Sequence, residues 1–173
     1  MKRLAGISGF TLIEGMVATA ILSVGVLAVG SMQAMSMRRN ADATELSQAV
    51  NLASDMLERI QFNRRNVAAY AGIDTTAACT QNPITQPMAL GDCQQWQALL
   101  NNLTATGASQ ANGLRGAPGA GVVRGQVVVN PIVTVPPLNQ NSVRVIVTWS
   151  GLSMGNAGGT TRRVVLDTTI APE

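Results

Sequence analysis

The sequence contains no histidine, few aromatic residues and few charges. Without histidine, the chain has no imidazole to bind zinc or iron, no histidine general base and no catalytic triad. Aromatic residues make up 3% of the chain and charged residues 12%, so the sequence indicates neither a platform for stacking bases nor a broad ionic surface. We therefore expect a protein that is not an enzyme, with no cofactor, no metal site and no nucleic-acid partner.

The excess of basic residues is concentrated at the amino terminus. The 173-residue chain has twelve basic and nine acidic residues and a formal net charge of +3. Lys2 and Arg3 lie within the first nine residues, and the remaining ten basic residues nearly balance the nine acidic ones. The high isoelectric point is therefore weak evidence for an acidic partner.

Two cysteines, Cys79 and Cys93, are present. An even count in a chain with an export-type amino terminus favours one disulfide, and the alternative is a pair of free buried thiols. The segment between them is rich in proline and polar residues, so a loop could bring its ends together.

The longest uncharged run follows one acidic residue, Glu14. From Gly15 to Met37 the sequence reads GMVATAILSVGVLAVGSMQAMSM, which at helical rise is enough to cross a bilayer core of roughly 30 Å. A carboxylate beside such a run is costly unless something neutralises it, so Glu14 is a candidate functional residue.

The next segment has the pattern of an amphipathic helix. No proline interrupts the chain from Phe10 to about Ala69, so we expect one helix from Phe10 to about Asn66, apolar on all sides over 10–37 and on one side over 38–66. Its predicted core face comprises Leu46, Ala49, Val50, Ala53, Met56, Leu57 and Ile60. The acidic pairs Asp42/Glu45 and Asp55/Glu58 are interpreted as solvated surface.

The remainder, 67–173, has the pattern of a globular domain. We expect a loop over 70–93, a short helix over 94–103 that begins after Asp92 as a cap, and a flexible Gly-rich segment over 104–121. A strand over 122–135 with a break, ended by Pro136–Pro137, precedes two strands with alternating apolar residues. Their predicted inner faces are Val143, Val145, Val147 and Trp149, and Val164, Leu166, Thr168 and Ile170. A sheet covered by the amphipathic half-helix gives an α+β fold.

The amino terminus resembles that of type IV prepilins. MKRLAGISG is a short basic leader, and GFTLIE follows it directly at the start of the apolar run. The resemblance implies a pilin-like fold, removal of leader 1–9 by a prepilin peptidase between Gly9 and Phe10, N-methylation of Phe10, and an assembly role for Glu14. An ordinary signal peptide would instead be cut after its apolar stretch.

Looser motifs narrow the resemblance. QAVNLASDMLERIQFNRRN and SVRVIVTW are similar to segments of PilV-type minor pilins. That resemblance implies a subunit of the bacterial inner membrane, with its globular domain in the periplasm, that enters a type IV pilus at the cell surface. Its implied partners are other minor pilins, the major pilin, the prepilin peptidase, the inner-membrane assembly platform and lipid. The alternative is a minor pseudopilin of a type II secretion system.

The position of Glu14 suggests a physical role. After cleavage it lies one helical turn from the new amino group of Phe10, where the helix dipole also favours an anion. In a filament of staggered parallel helices, this carboxylate would meet the amino group of a neighbouring subunit and fix the register. The alternative is that the Glu14 carboxylate only stabilises the dipole of its own helix.

A third functional class, an adhesive or DNA-binding tip subunit, would need a basic groove or an exposed aromatic patch.

Overall fold

The computed structural model describes residues 9–102, 114, 123–133, 139–151 and 160–171. The predictions for leader residues 1–8, for Pro136–Pro137 and for most of the Gly-rich segment 104–121 lie outside these ranges. The chain divides into two compact units, Met1–Ala41 and Asp42–Glu173. Helix α1, Leu12–Phe62, contributes residues to both.

The predicted long helix is confirmed by α1. It begins two residues later and ends four residues earlier than the sequence indicated. A turn at Asn63 closes it, and Arg64–Tyr70 continues as a 3-10 helix with non-helical dihedral angles at Asn66.

The core face of α1 differs from the predicted one at its beginning. Ala49, Ala53, Met56 and Ile60 are buried as expected. Glu45 is buried and accepts a hydrogen bond from the Trp149 indole (Nε1 to Oε2, 3.3 Å), whereas Leu46 is half exposed. The interpretation of Glu45 as solvated surface was therefore wrong, because an indole N–H that needs an acceptor draws the carboxylate into the core.

The second helix is longer than predicted. Helix α2 spans Pro87–Asn102, so Asp92 lies within it and does not cap it. The Asn82 side chain accepts hydrogen bonds from the backbone N–H groups of Ile84 and Thr85, and Pro87 then occupies the first helical position, where no donor is required. Its buried residues are Ala89, Cys93, Trp96 and Leu100.

The disulfide predicted from the two cysteines is present. Cys79 is bonded to Cys93 across a sequence separation of 14 residues. It ties the loop after the 3-10 helix to α2. Loop-closure entropy gives such a bond a value of about 3 kcal/mol.

Three antiparallel strands form one sheet in the order β1-β2-β3, where β1 is Arg124–Ile132, β2 is Gln140–Gly151 and β3 is Thr160–Ile170. The predicted break in the first strand is absent, because Pro131 lies on an edge strand opposite Asn141 and its missing donor is tolerated there. The long helix α1 and the antiparallel sheet together confirm the predicted α+β fold.

The inner face of the sheet follows the predicted alternation. Val127, Val145 and Leu166 lie opposite one another across the three strands. Helices α1 and α2 contribute to the same hydrophobic core. The buried residues of β2 are Val143, Val145, Val147, Trp149, Ser150 and Gly151.

Candidate functional site

The predicted cleavage site, between Gly9 and Phe10, precedes helix α1. Gly9, Phe10 and Thr11 are outside the helix and exposed, and the space around Gly9 is open. The Thr11 carbonyl accepts hydrogen bonds from the backbone N–H groups of Glu14 (3.1 Å) and Gly15 (3.2 Å). The Gly9–Phe10 peptide bond therefore lies in accessible, non-helical chain just before a helix, where a protease can reach it.

Glu14 lies in the first turn of α1, where the unpaired backbone N–H groups and the helix dipole favour a negative charge. Its side chain is exposed. Among the described residues, no side chain forms a hydrogen bond or an ion pair with the Glu14 carboxylate. The carboxylate is thus available to a group outside the subunit.

Three hydroxyl groups in this part of α1 form hydrogen bonds within the helix. Thr19 donates to the carbonyl oxygens of Gly15 and Met16. Ser23 and Ser31 each donate to a carbonyl three residues earlier, at 2.8 Å. Hydroxyl groups bonded in this way are compatible with an apolar environment, whereas the Glu14 carboxylate is a charged group in the first turn of the same helix.

The large apolar side chains of this segment are exposed in the isolated chain. Helix α1 contains a window that is long and apolar enough to cross a membrane, and none of that window is buried. Such a surface requires lipid or other helices to cover it. Its exposed large side chains include Phe10, Leu12, Ile13, Met16, Val17, Ile21, Leu22, Val26, Leu27, Val29 and Met32.

Three carboxylates of the globular unit, those of Asp42, Asp55 and Asp92, are held in structural contacts. Asp42 pairs with Arg162 (3.1 Å) and Asp55 with Arg59 (3.0 Å). Arg59 also contacts Asp92 (3.2 Å), and the Tyr70 hydroxyl donates to the same carboxylate (2.6 Å). Burial first, and then this hydrogen bond, raise the pKa of Tyr70. Within the described ranges, no three metal-ligating side chains come together.

One exposed surface was missed by the sequence analysis. Phe62, at the end of α1, is 85% exposed and lies beside the exposed Arg64 and Arg65. The helical periodicity could have indicated this exposure, because Phe62 does not continue the series of buried residues Ala53, Met56 and Ile60.

Two sequence families match the chain. Residues 5–30 match the prokaryotic N-terminal methylation motif, a range that contains Gly9, Phe10 and Glu14. Residues 31–106 match the Tt1218-like family, described as type IV pilin Tt1218. No curated protein and no solved structure matched. The methylation motif and the exposed apolar helix fit a pilin anchored in the inner membrane, and over the two matched ranges the chain is type IV prepilin-like.

Proposed function

We propose that this protein is a minor pilin that takes part in type IV pilus assembly, in the complex that starts or tips the filament. The observation that carries the proposal is the exposed apolar half of α1 with one carboxylate, Glu14, in its first turn that has no partner among the described residues. A prepilin peptidase cleaves between Gly9 and Phe10, and Phe10 is then N-methylated. The methylation motif over residues 5–30 supports both steps.

The register of assembly follows from the charges at the new amino terminus. In the membrane, the Phe10 ammonium and the Glu14 carboxylate lie near the water interface, where both are hydrated. In a bundle of staggered apolar helices each ion is removed from water, and an unpaired ion there costs several kcal/mol. A neighbour docked at the correct height pairs the two charges, and a neighbour docked at another height leaves them unpaired. Other minor pilins and the major pilin are the proposed neighbours, brought together by the inner-membrane assembly platform.

The globular unit is proposed to lie in the periplasm. The bond between Cys79 and Cys93 is of the kind that persists in an oxidising compartment. Lys2 and Arg3 precede the apolar run and agree with a cytoplasmic leader. After assembly, the subunit would reach the cell surface as part of the pilus.

We propose a structural role without enzymatic activity. The sequence offers no histidine to activate a serine. Asp42 and Asp55 are held in ion pairs, and Glu45 accepts a hydrogen bond from a buried indole. None of these three carboxylates is placed as a free acid or base.

The test is deletion of the gene in its own bacterium, followed by separate assays of surface pili and of secreted enzymes. Loss of pili, restored by the wild-type chain, is the expected result. Unchanged pili together with loss of secretion would replace the proposal with its alternative, a minor pseudopilin of a type II secretion system. Mass analysis of the purified protein tests processing independently: the mature chain should begin at methylated Phe10, and a chain that retains Met1 would refute cleavage.

A further inference from the structure

The sheet has an open edge, formed by strand β3. Every residue of β3 is paired with β2, from Thr160 opposite Gly151 to Ile170 opposite Asn141. Along the other side of β3, no backbone hydrogen bond joins it to any other described residue. Such an edge presents a row of N–H and C=O groups that can pair with an additional strand.

The opposite edge of the sheet, formed by β1, is covered. Backbone groups of residues 72–75 form three hydrogen bonds with β1, at 2.9 to 3.1 Å, and Pro131 lies farther along the same strand. Strand β3 contains neither proline nor glycine, and its pairing with β2 has no bulge. Two of the devices that block a sheet edge, a covering segment and a proline, are therefore found at β1, and β3 has neither among the described residues.

The exposed face of β3 carries two opposite charges placed symmetrically about its middle residue. Arg163, Val165 and Asp167 alternate along the strand, so they share this face, and all three are exposed. In the described part of the chain, no hydrogen bond or ion pair involves the Arg163 side chain. Asp167 pairs with Arg144 on β2 (2.7 Å). A carboxylate has about four lone-pair sites, so Asp167 can accept hydrogen bonds from a second guanidinium group as well.

From this arrangement, we propose that β3 pairs antiparallel with β3 of a second copy of this chain, centred on Val165. In that register the whole of each strand is paired, and Arg163 lies opposite Asp167 of the second copy at two symmetry-related places. The two Val165 side chains meet on the two-fold axis. Opposite charges and β-branched residues placed directly across from each other both stabilise a strand pair. The result is a continuous six-stranded sheet.

Other registers are less favourable. Moving the centre of pairing by two residues, to Arg163 or to Asp167, places like charges directly opposite each other, which is destabilising. Moving it by one residue in either direction leaves both charged residues opposite uncharged ones. A strand of another subunit would also fit the backbone of this edge, but β3 itself carries the matching side chains, which favours a second copy.

The two-fold axis determines how the two copies are oriented. Antiparallel neighbours in a sheet are related by an axis perpendicular to the sheet, so every direction within the sheet plane is reversed. The buried residues of α1 between Glu45 and Ile60 contribute to the core beneath the sheet, so this part of α1 runs in opposite directions in the two copies. Copies inserted side by side in one membrane have helices that run in the same direction. The contact therefore joins copies that face each other, from two membranes or two filaments.

The test uses the full-length chain at one copy per nanodisc, so that a dimer joins two discs, and it does not depend on whether the subunit serves a pilus or a secretion system. Sedimentation velocity measures the fraction of joined discs as the protein concentration rises. Arg163→Asp and Asp167→Arg should each weaken association about tenfold or more, because two opposite-charge pairs become like-charge pairs. An equimolar mixture of the two variants should restore association, because every charged pair across the axis then has opposite signs.

Controls separate this register from other contacts. Arg65→Asp makes the same charge change at an exposed arginine outside β3 and should associate like the wild type. The native cysteines are bonded to each other, so a short thiol cross-linker should join two copies of Val165→Cys through the new thiol. Val128→Cys, at a similarly exposed position of β1, should not be joined.

Near-ultraviolet circular dichroism verifies that each variant is folded, and if Asp167→Arg does not fold, the cross-linking of Val165→Cys decides. Single-disc particles for the wild type at every concentration overturn the proposal. So does a mixture of folded variants that fails to associate, or cross-linking that is equal at positions 128 and 165.

Discussion

At the scale of single residues, Gly125 in β1 is fixed by its neighbour in α2. A Cβ atom built on Gly125 would lie 2.5 Å from Cη2 and 2.6 Å from Cζ3 of Trp96, and 2.7 Å from Cδ1 of Leu100. The Trp96 ring cannot yield easily, because it is fully buried and its indole N–H donates to the Leu52 carbonyl (3.0 Å). Glycine in the strand thus allows the helix to approach the sheet closely.

We predict that Gly125→Ala lowers the free energy of unfolding by about 1 to 3 kcal/mol, since the added methyl overpacks a rigid contact. Gly91→Ala is the matched control. Gly91 lies inside α2 with open space around it, so alanine there should leave stability unchanged or raise it by up to about 1 kcal/mol. Urea unfolding of both variants in detergent gives the comparison, and equal midpoints would contradict the role of the contact.

A second residue-scale feature is the ion pair between Asp74 and Arg124, whose closest atoms are 2.5 Å apart. Burial of the Asp74 carboxyl raises its pKa, but hydrogen bonds from Arg124 and Thr76 outweigh burial and lower the pKa from 3.8 to about 2. The unfolded chain therefore takes up the proton at higher pH than the folded chain. The stability that this pair contributes is present above about pH 4 and is lost as the pH falls toward 2.

We predict that Asp74→Asn lowers the melting temperature at pH 7 and reduces the further loss of stability between about pH 4 and pH 2. Thermal unfolding followed by circular dichroism across this range is the measurement. Asp167→Asn, which removes an exposed partner of Arg144, is the control and should have a small effect because water screens that pair. Identical pH profiles for wild type and Asp74→Asn would count against the prediction.

At the scale of elements, periodicity predicted the strands and the long helix because their burial repeats at fixed spacing. Val143, Val145 and Val147 alternate with exposed or half-buried residues along β2. The pattern failed where a tertiary contact outweighed it. Glu45 and Leu46 are adjacent, and the structure buries the acid because Trp149 requires an acceptor. No repeat within one helix contains that information.

The start of α2 and the exposure of Phe62 were missed for related reasons. Pro87 lies within the segment 70–93 that was predicted to be a loop, although proline is also favoured at the first position of a helix. Whether Pro87 lies in a loop or begins a helix depends on the preceding turn, in which the Asn82 side chain accepts two backbone hydrogen bonds. Exposure of Phe62 depends on where α1 ends, and helix ends are poorly defined by sequence. The position of Glu14 in the first turn of α1 was predictable, because it depends only on where the apolar run begins along the chain.

Within the Gly-rich segment, Leu114 is fully buried and belongs to the hydrophobic core. We predict that Leu114→Ala lowers the free energy of unfolding by about 2 to 5 kcal/mol, the range for truncating a buried leucine. Leu99→Ala, at a partly exposed position of α2, is the control and should have a smaller effect. Equal losses in urea unfolding would contradict the contribution of Leu114 to the hydrophobic core.

At the scale of the whole molecule, the chain joins two units that need different surroundings. Residues 42–173 contain the hydrophobic core, the sheet and the disulfide, so this unit buries its own apolar surface. The described part of unit 1–41 has no core and exposes its apolar side chains. Lipid or other helices must therefore cover these side chains, and under the proposed function lipid does so before assembly and other subunits afterwards.

Moving the apolar half of α1 from lipid to a helix bundle gains little hydrophobic free energy, because both environments are apolar. Selectivity for the correct docking height must then come from polar groups, and the hydroxyls of Thr19, Ser23 and Ser31 are already bonded within the helix.

We predict that the Glu14→Ala variant is still cleaved after Gly9 but enters filaments on the order of tenfold less than the wild type. The reason is that the ammonium group of a neighbouring subunit is left unpaired, at a cost of several kcal/mol. Immunoblots of sheared filaments and membranes measure the ratio, with Ser23→Ala as the control. Because Ser23 needs no external partner, that variant should assemble normally, and equal incorporation of both variants would remove Glu14 from the register mechanism.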